Sequence, residues 1–190
     1  MEAESTPQVN LGEKYPRVEL SEADAHAWVF IDKDTFELYP CKYPEIKDDE
    51  VQVSVLYTGV SRADVQGGRE EWGECPRPKC PGQETIGRVT KIGKDVTERK
   101  VGDIIGIGPF INSCQTCEFC LTQRDNVCMG LKAEERDLDM SCFAGFSTRM
   151  QAKARHTFMI PDGLDIKTAA PLMCVGVAGY RALKFNTTKG

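Results

Sequence analysis

Four cysteines crowd one short stretch, Cys114-Gln-Thr-Cys117-Glu-Phe-Cys120 followed by Cys128, at the spacing Cys-x2-Cys-x2-Cys-x7-Cys. A two-residue gap lets successive thiolates turn toward one ion, and zinc takes four soft ligands in a tetrahedron. Such a site is closed. With no position left for water or substrate, the ion holds a loop together and does not catalyse. An iron–sulfur cluster is the rival reading, because the first three cysteines share the bacterial ferredoxin spacing. There, however, the fourth cysteine follows closely and precedes proline, whereas seven residues intervene here. Four unligated loop thiols are the plain reading beside both. The other five cysteines are Cys41, Cys75, Cys80, Cys142 and Cys174, and the odd total of nine points to metal before disulfides in a reducing setting.

Around this stretch the signals are mostly those of strands. His26 to Ile31 and Thr35 to Leu38 flank Asp32-Lys33-Asp34, a hairpin pattern. Val51, Val53, Val55 and Tyr57 alternate, which predicts a strand with one face buried. Thr85 to Ile92, Ile104 to Gly108, Phe143 to Ala152 and Thr157 to Ile160 read as further strands, with a short helix expected after Ser61. Many short strands at regular spacing predict a small barrel. Beyond the turn Pro161-Asp162-Gly163 the period changes: Asp165 caps a short helix through Ala170, and Cys174 to Phe185 carries Val177, Tyr180 and Leu183 at helical spacing. Residues 1–24 are polar, contain Pro7 and Pro16, and read as a loosely attached lead-in.

The composition excludes several classes of protein. The 190 residues are 41% hydrophobic and 28% charged, which is ordinary for one folded domain. A net charge of −5 without a Lys or Arg cluster gives no footprint for nucleic acid or an anionic membrane. The apolar stretch from Ala169 to Phe185 is broken by Pro171, Arg181 and Lys184 and falls short of a membrane span. Met1-Glu-Ala-Glu-Ser-Thr6 has neither the apolar region of a secretory leader nor the arginines of a transit peptide, so a cytoplasmic location is expected.

The cysteine lobe, with its flanking segments, resembles the zinc-dependent alcohol dehydrogenases of the medium-chain family, in particular their cinnamyl-alcohol-dehydrogenase-like branch. Val55-Leu-Tyr-Thr-Gly-Val-Ser-Arg-Ala-Asp64 is similar to the family's first metal-ligand motif, and Pro81-Gly-Gln-Glu84 to its Gly-His-Glu motif. Lys100-Val-Gly-Asp103 resembles the turn before the zinc lobe. Ile160-Pro-Asp-Gly163 with Ala169-Ala-Pro-Leu-Met-Cys174 resembles the stretch bearing the last catalytic ligand. The resemblance runs from about residue 25 to the end. It implies a mainly β, GroES-like, partly open barrel over 25–173, with the zinc lobe at about 110–135, and a helix over 174–190 that leads toward a Rossmann domain.

Carried over residue by residue, the resemblance exposes departures. Ser61 stands where the family has its first catalytic Cys, and Gln83 where it has His; of the three ligand positions only Cys174 is kept. A hydroxyl and an amide are poor zinc ligands beside thiolate and imidazole. Ala63 replaces the hydroxyl of the proton relay and can neither give nor take a proton. Asp64 and Glu84 match carboxylates that orient the ligands, and Arg62 matches a residue that in some members reaches the cofactor pyrophosphate. Each also has a plain reading, as a helix cap, a solvated strand residue and a surface charge. Cys80 sits three residues before Gln83, an offset that turns it to the opposite face of an extended segment. His26 and His156 fall outside every motif position.

No Gly-x-Gly-x-x-Gly occurs in these residues; Gly106-Ile-Gly108 lacks the third glycine and the following helix. The nucleotide-binding domain implied by the resemblance is therefore absent from them, and NAD(P) is expected only where such a domain is supplied. The expected cofactor is one structural zinc. The expected role is that of an inactive derivative acting as a structural or interaction subunit, with a protein partner or a second copy covering the helix from Cys174. The alternative is the N-terminal fragment of an NAD(P)-dependent oxidoreductase acting on alcohols, aldehydes or activated alkenes.

Overall fold

The computed structural model describes residues 10–132, 135 and 141–186. Its centre is a five-stranded antiparallel sheet curved into a half-barrel, in the order β6-β3-β4-β5-β7. These strands are β3 (Glu50–Thr58), β4 (Thr85–Ile92), β5 (Ile104–Ile107), β6 (Arg149–Lys153) and β7 (Thr157–Met159). A hairpin of β1 (Ala25–Phe30) and β2 (Phe36–Cys41) lies beside it, joined by the bridges Ala27↔Ser147 and Phe30↔Lys79. The hairpin turn forms because the Asp32 carboxylate accepts the N–H groups of Asp34 and Thr35, both at 2.8 Å.

Val29, Val51, Val53, Val89, Ile105, Ile107 and Met150 are fully buried and form the main core. β3 runs between β4 and β6, and Gln52, between the alternating valines, is only 4% exposed. The one-sided burial expected from the valine alternation is corrected here, because packing covers the middle of this strand on both faces. A strand over the whole of 143–152 is also corrected. Ala144, Gly145 and Phe146 donate their N–H groups to Cys80, Gly82 and Pro81, forming an irregular crossing before β6 begins.

A larger correction concerns the lead-in. Helix α1 (Leu11–Lys14) is capped by the Asn10 side chain, and it seats Leu11 and Tyr15, 0% and 1% exposed, in the main core. These two positions, four apart, fall on one side of a helical turn. Tyr15 stacks on Phe143 with ring centroids 4.2 Å apart and also meets the edge of Tyr43. Polar neighbours hid this two-residue anchor in the sequence.

Helix α2 (Arg62–Gly68) follows β3, and α3 (Glu118–Leu121) lies within the cysteine lobe. Helix α4 (Ile166–Ala169) is capped by Asp165, which accepts the Lys167 N–H at 3.1 Å. After a 3-10 turn over Ala170–Met173 comes α5 (Val175–Asn186). Ala169, Ala170 and Met173 pack on Ile86 in a second, smaller core. Helix α5 buries none of its residues: Val177, Tyr180, Leu183 and Phe185 are 58–71% exposed. Among the described residues no helix is long and apolar enough to cross a membrane.

Candidate metal lobe and the Ser61–Gln83 cluster

The lobe brings its four cysteines together as their spacing predicts. The sulfurs of Cys114, Cys117, Cys120 and Cys128 all lie within 4.8 Å of one another, and among the described residues this is the group of ligand-type side chains that converges. The backbone prepares the sulfurs for negative charge. Cys117 N–H donates to Cys114 Sγ and Cys114 N–H to Cys128 Sγ, both at 3.4 Å, and the Thr116 hydroxyl reaches Cys114 Sγ at 3.6 Å. Hydrogen bonds to the charged form favour it. The Thr116 backbone and hydroxyl, then the Cys117 N–H, bring the Cys114 thiol down to about 5. The Cys117 thiol is lowered chiefly by the Cys120 N–H, whereas burial, then the neighbouring Cys117 thiol, pushes Cys120 up to about 12.

Gly130 closes the lobe. A Cβ at this position would stand 2.4 Å from Cys114 Sγ, so the chain passes the sulfur only as glycine. Four convergent sulfurs, N–H donors aimed at two of them and a backbone trimmed to fit form a donor set that suits a soft tetrahedral ion.

The second cluster gathers the positions that the resemblance assigns to catalysis. Thr58 of β3 pairs with Thr85 of β4, so Ser61, three residues beyond one strand, and Gln83, two before the other, meet at the same end of the sheet. Gln83 Nε2 donates to Ser61 Oγ at 3.3 Å. The Ser61 hydroxyl and backbone N–H both donate to Asp64 Oδ2, at 2.8 and 2.7 Å, and Gly82 N–H donates to Asp64 Oδ1 at 2.7 Å. Asp64 is 5% exposed, and this carboxylate ties the start of α2 to the segment before β4. Gly82 is required there: its φ is +114°, and a Cβ would lie 2.6 Å from the Phe146 nitrogen.

Glu84 is buried, 2% exposed, and its Oε1 accepts the Val175 N–H at 3.0 Å, drawing Cys174 to the same cluster. The Cys174 thiol is raised, first by burial and then by the Glu84 and Asp64 carboxylates, so at neutral pH it stays protonated. Ala63 follows on α2, and Arg62 is exposed in its first turn. Glu84 is thus neither solvated nor a simple strand residue, while Asp64 both meets the helix start and spans to Gly82. Cys80 is fully buried in the main core with its thiol toward the Ala144 carbonyl at 3.5 Å, away from Gln83.

Sequence reasoning missed a third set of residues. His156 Nε2 lies 3.2 Å from Ser113 Oγ, and the Ser113 hydroxyl donates to Asp125 Oδ1 at 2.7 Å. Arg155 Nε and Nη2 each reach the same carboxylate at 3.3 Å. His156 is 7% exposed, and burial holds its pKa below the usual imidazole range against the pull of Asp125. Ser113 and His156 are 43 residues apart, so no local spacing could have revealed the pair.

Comparison with known proteins agrees with this architecture. Residues 47–162 match the alcohol dehydrogenase GroES-like domain, and the chain belongs to that family. It is 36% identical over 137 residues to a probable cinnamyl alcohol dehydrogenase 8B of Oryza sativa subsp. japonica, covering 70% of this chain and 31% of that protein. To a probable formaldehyde dehydrogenase AdhA of Bacillus subtilis it is 31% identical over 156 residues, covering 80% of this chain and 45% of that one. Among solved structures it is similar to a cinnamyl alcohol dehydrogenase of Sorghum bicolor, with a TM-score of 0.77 and 31% identity over 85% of this chain and 48% of that one. The CAD of Helicobacter pylori, solved in complex with NADP(H), gives a TM-score of 0.79 and 26% identity over 87% and 50%. The chain spans about a third to a half of the length of these relatives.

Proposed function

We propose that this is an alcohol-dehydrogenase-like protein that keeps a structural zinc and has given up the catalytic one, serving as a binding or structural subunit. Cys114, Cys117, Cys120 and Cys128 would hold one zinc. When bound, that ion supplies cohesion to the lobe and no Lewis acidity to a substrate, because all four positions belong to the protein. The observation that carries the reading is the Gln83–Ser61 hydrogen bond at 3.3 Å, with the Ser61 hydroxyl proton given to Asp64. Two of the three ligand positions satisfy each other, and the third is a protonated thiol.

Without an ion at this end of the sheet, nothing polarises an alcohol oxygen, and Ala63 offers no route for its proton. The cluster's groups do other work. Asp64 fixes the N-terminus of α2, Glu84 fixes the start of α5, and Gln83 and Ser61 latch β3 to β4. Helix α5 is the natural docking element, and burying its exposed apolar side chains would favour association at roughly 25 cal/mol per Å². A partner polypeptide or a second copy of the chain is the proposed cover. A cytoplasmic setting suits nine cysteines with no disulfide among the described residues.

The shortness of the chain beside its relatives favours a second reading, that these residues are the first half of a longer NAD(P)-dependent oxidoreductase for alcohols, aldehydes or activated alkenes. The test is the intact mass of the protein from its native source together with cofactor titration. A species near 21.1 kDa that binds no nicotinamide nucleotide supports the subunit reading. A species about twice as large that binds one supports the oxidoreductase.

A further inference from the structure

Ser113, Asp125, Arg155 and His156 lie outside both clusters, and their arrangement has a purpose that neither cluster explains. Ser113 immediately precedes Cys114, the first cysteine of the lobe. Asp125 opens the 3-10 turn Asp125–Val127, which delivers Cys128, the last. Arg155 and His156 sit on the 3-10 turn Ala154–His156, which joins β6 to β7. Those two strands are the opposite edges of the five-stranded sheet, so this turn is the seam of the half-barrel.

The hydrogen atoms in the network can be assigned by elimination. The Asp125 carboxylate faces three donors, the Ser113 hydroxyl at 2.7 Å and Arg155 Nε and Nη2 at 3.3 Å, and so only accepts. The Ser113 hydroxyl therefore gives its proton to Asp125, and its oxygen is left to accept from His156 Nε2–H. The order Asp–Ser–His is the wrong one for a nucleophilic serine, in which the imidazole must take the hydroxyl proton. Ser113 is 3% exposed, and no substrate reaches it.

We propose that this network is a clip: it pins both ends of the cysteine lobe to the seam of the half-barrel, and so sets how long the lobe keeps its metal. Ser113 is its centre, touching the lobe's exit through Asp125 and the seam through His156. Arg155 closes a second path between the same two segments. All four are positioning residues acting through the backbone that carries Cys114 and Cys128. The metal part of the proposal rests on the zinc reading of the lobe; the pinning of the two chain ends does not.

The test compares the full chain with Ser113→Ala, Asp125→Asn and the double variant Ser113→Ala/His156→Gln. Chelator-driven release of zinc is followed optically, and amide exchange is followed at residues 113–128 and 154–157 in the metal-free protein. Ser113→Ala removes one oxygen from a buried site and is the mildest change; Asp125→Asn keeps the shape while removing the charge that Arg155 faces. Both single variants are expected to release zinc about tenfold faster, at the lower end of what losing a supporting hydrogen bond costs a metal site. The double variant is expected to be no faster than Ser113→Ala, because the two residues act as one unit. The cobalt-substituted spectrum should be the same in all, since the four thiolates are untouched. Release and exchange at the wild-type rate in Ser113→Ala and Asp125→Asn would overturn the clip. If the wild-type chain binds no zinc, the zinc reading fails, and faster exchange at both lobe ends in Ser113→Ala still decides for or against the clip.

Discussion

Gln83 Nε2 points its hydrogen at Ser61 Oγ across 3.3 Å, and the Ser61 hydroxyl passes its own hydrogen to Asp64 across 2.8 Å. The two places to which the family resemblance assigns a thiolate and an imidazole carry a neutral, self-satisfied pair ending on a carboxylate. Replacing both residues, Ser61→Cys with Gln83→His, puts two strong ligands next to Cys174. The double variant is expected to take up one more equivalent of cobalt or zinc than the parent, and Ser61→Cys alone is expected to take up none. On the proposed reading neither variant is expected to oxidise alcohols, since Ala63 offers no route for the hydroxyl proton. A cobalt titration followed by absorbance reads the metal outcome directly.

Cys120 is buried, at 4% exposure, and its sulfur faces both Cys114 Sγ at 3.9 Å and Cys117 Sγ at 3.5 Å. Cys120→Ser is expected to abolish zinc retention and to loosen the lobe, while β3, β4 and β5 keep their amide protection. Elemental content with hydrogen exchange checks both halves of this expectation.

Thiol reactivity should follow the thiolate fraction. In metal-depleted protein near pH 7, Cys114, brought down to about 5 chiefly by the Thr116 and Cys117 donors, is mostly thiolate. Cys41, pushed up to about 12 mainly by burial, is almost wholly thiol, and burial likewise raises Cys80 well above the ordinary thiol range. Iodoacetamide should modify Cys114 early and Cys41 and Cys80 last, by peptide mass spectrometry over time. Metal loading should protect Cys114 selectively.

The anchoring of α1 carries a stability expectation. Tyr15 is 1% exposed and stacked on Phe143, so Tyr15→Ala should cost about 3–5 kcal/mol, as large aromatic truncations do. Denaturant unfolding measures it. A change below about 1 kcal/mol would mean that the segment does not belong to the core.

Much of this was legible in the sequence for physical reasons. Strand residues such as Val51 and Val53 announce themselves by period, and the hairpin by the Asp32 turn. The cysteine lobe is short-range chemistry, since four ligands within 15 residues must share a neighbourhood. The meeting of Ser61 with Gln83 needed the family resemblance, and the register of β3 on β4 accounts for it. Long-range contacts left no such mark. His156 looked like an ordinary residue because its partner lies 43 positions away, and Tyr15 looked like part of a tail because its stacking partner, Phe143, lies beyond β1 to β5 in sequence. The burial of Gln52 left no mark either, because alternation shows a strand's period and not what covers its second side.

The most direct test of the proposal, one zinc in the cysteine lobe and none at Ser61, Gln83 and Cys174, is the metal content of the purified chain after exhaustive dialysis against zinc-free buffer. One zinc per chain, lost in Cys120→Ser and retained in Ser61→Ala, is the expected result. Two zincs per chain, with one lost on changing Ser61, Gln83 or Cys174, would contradict it.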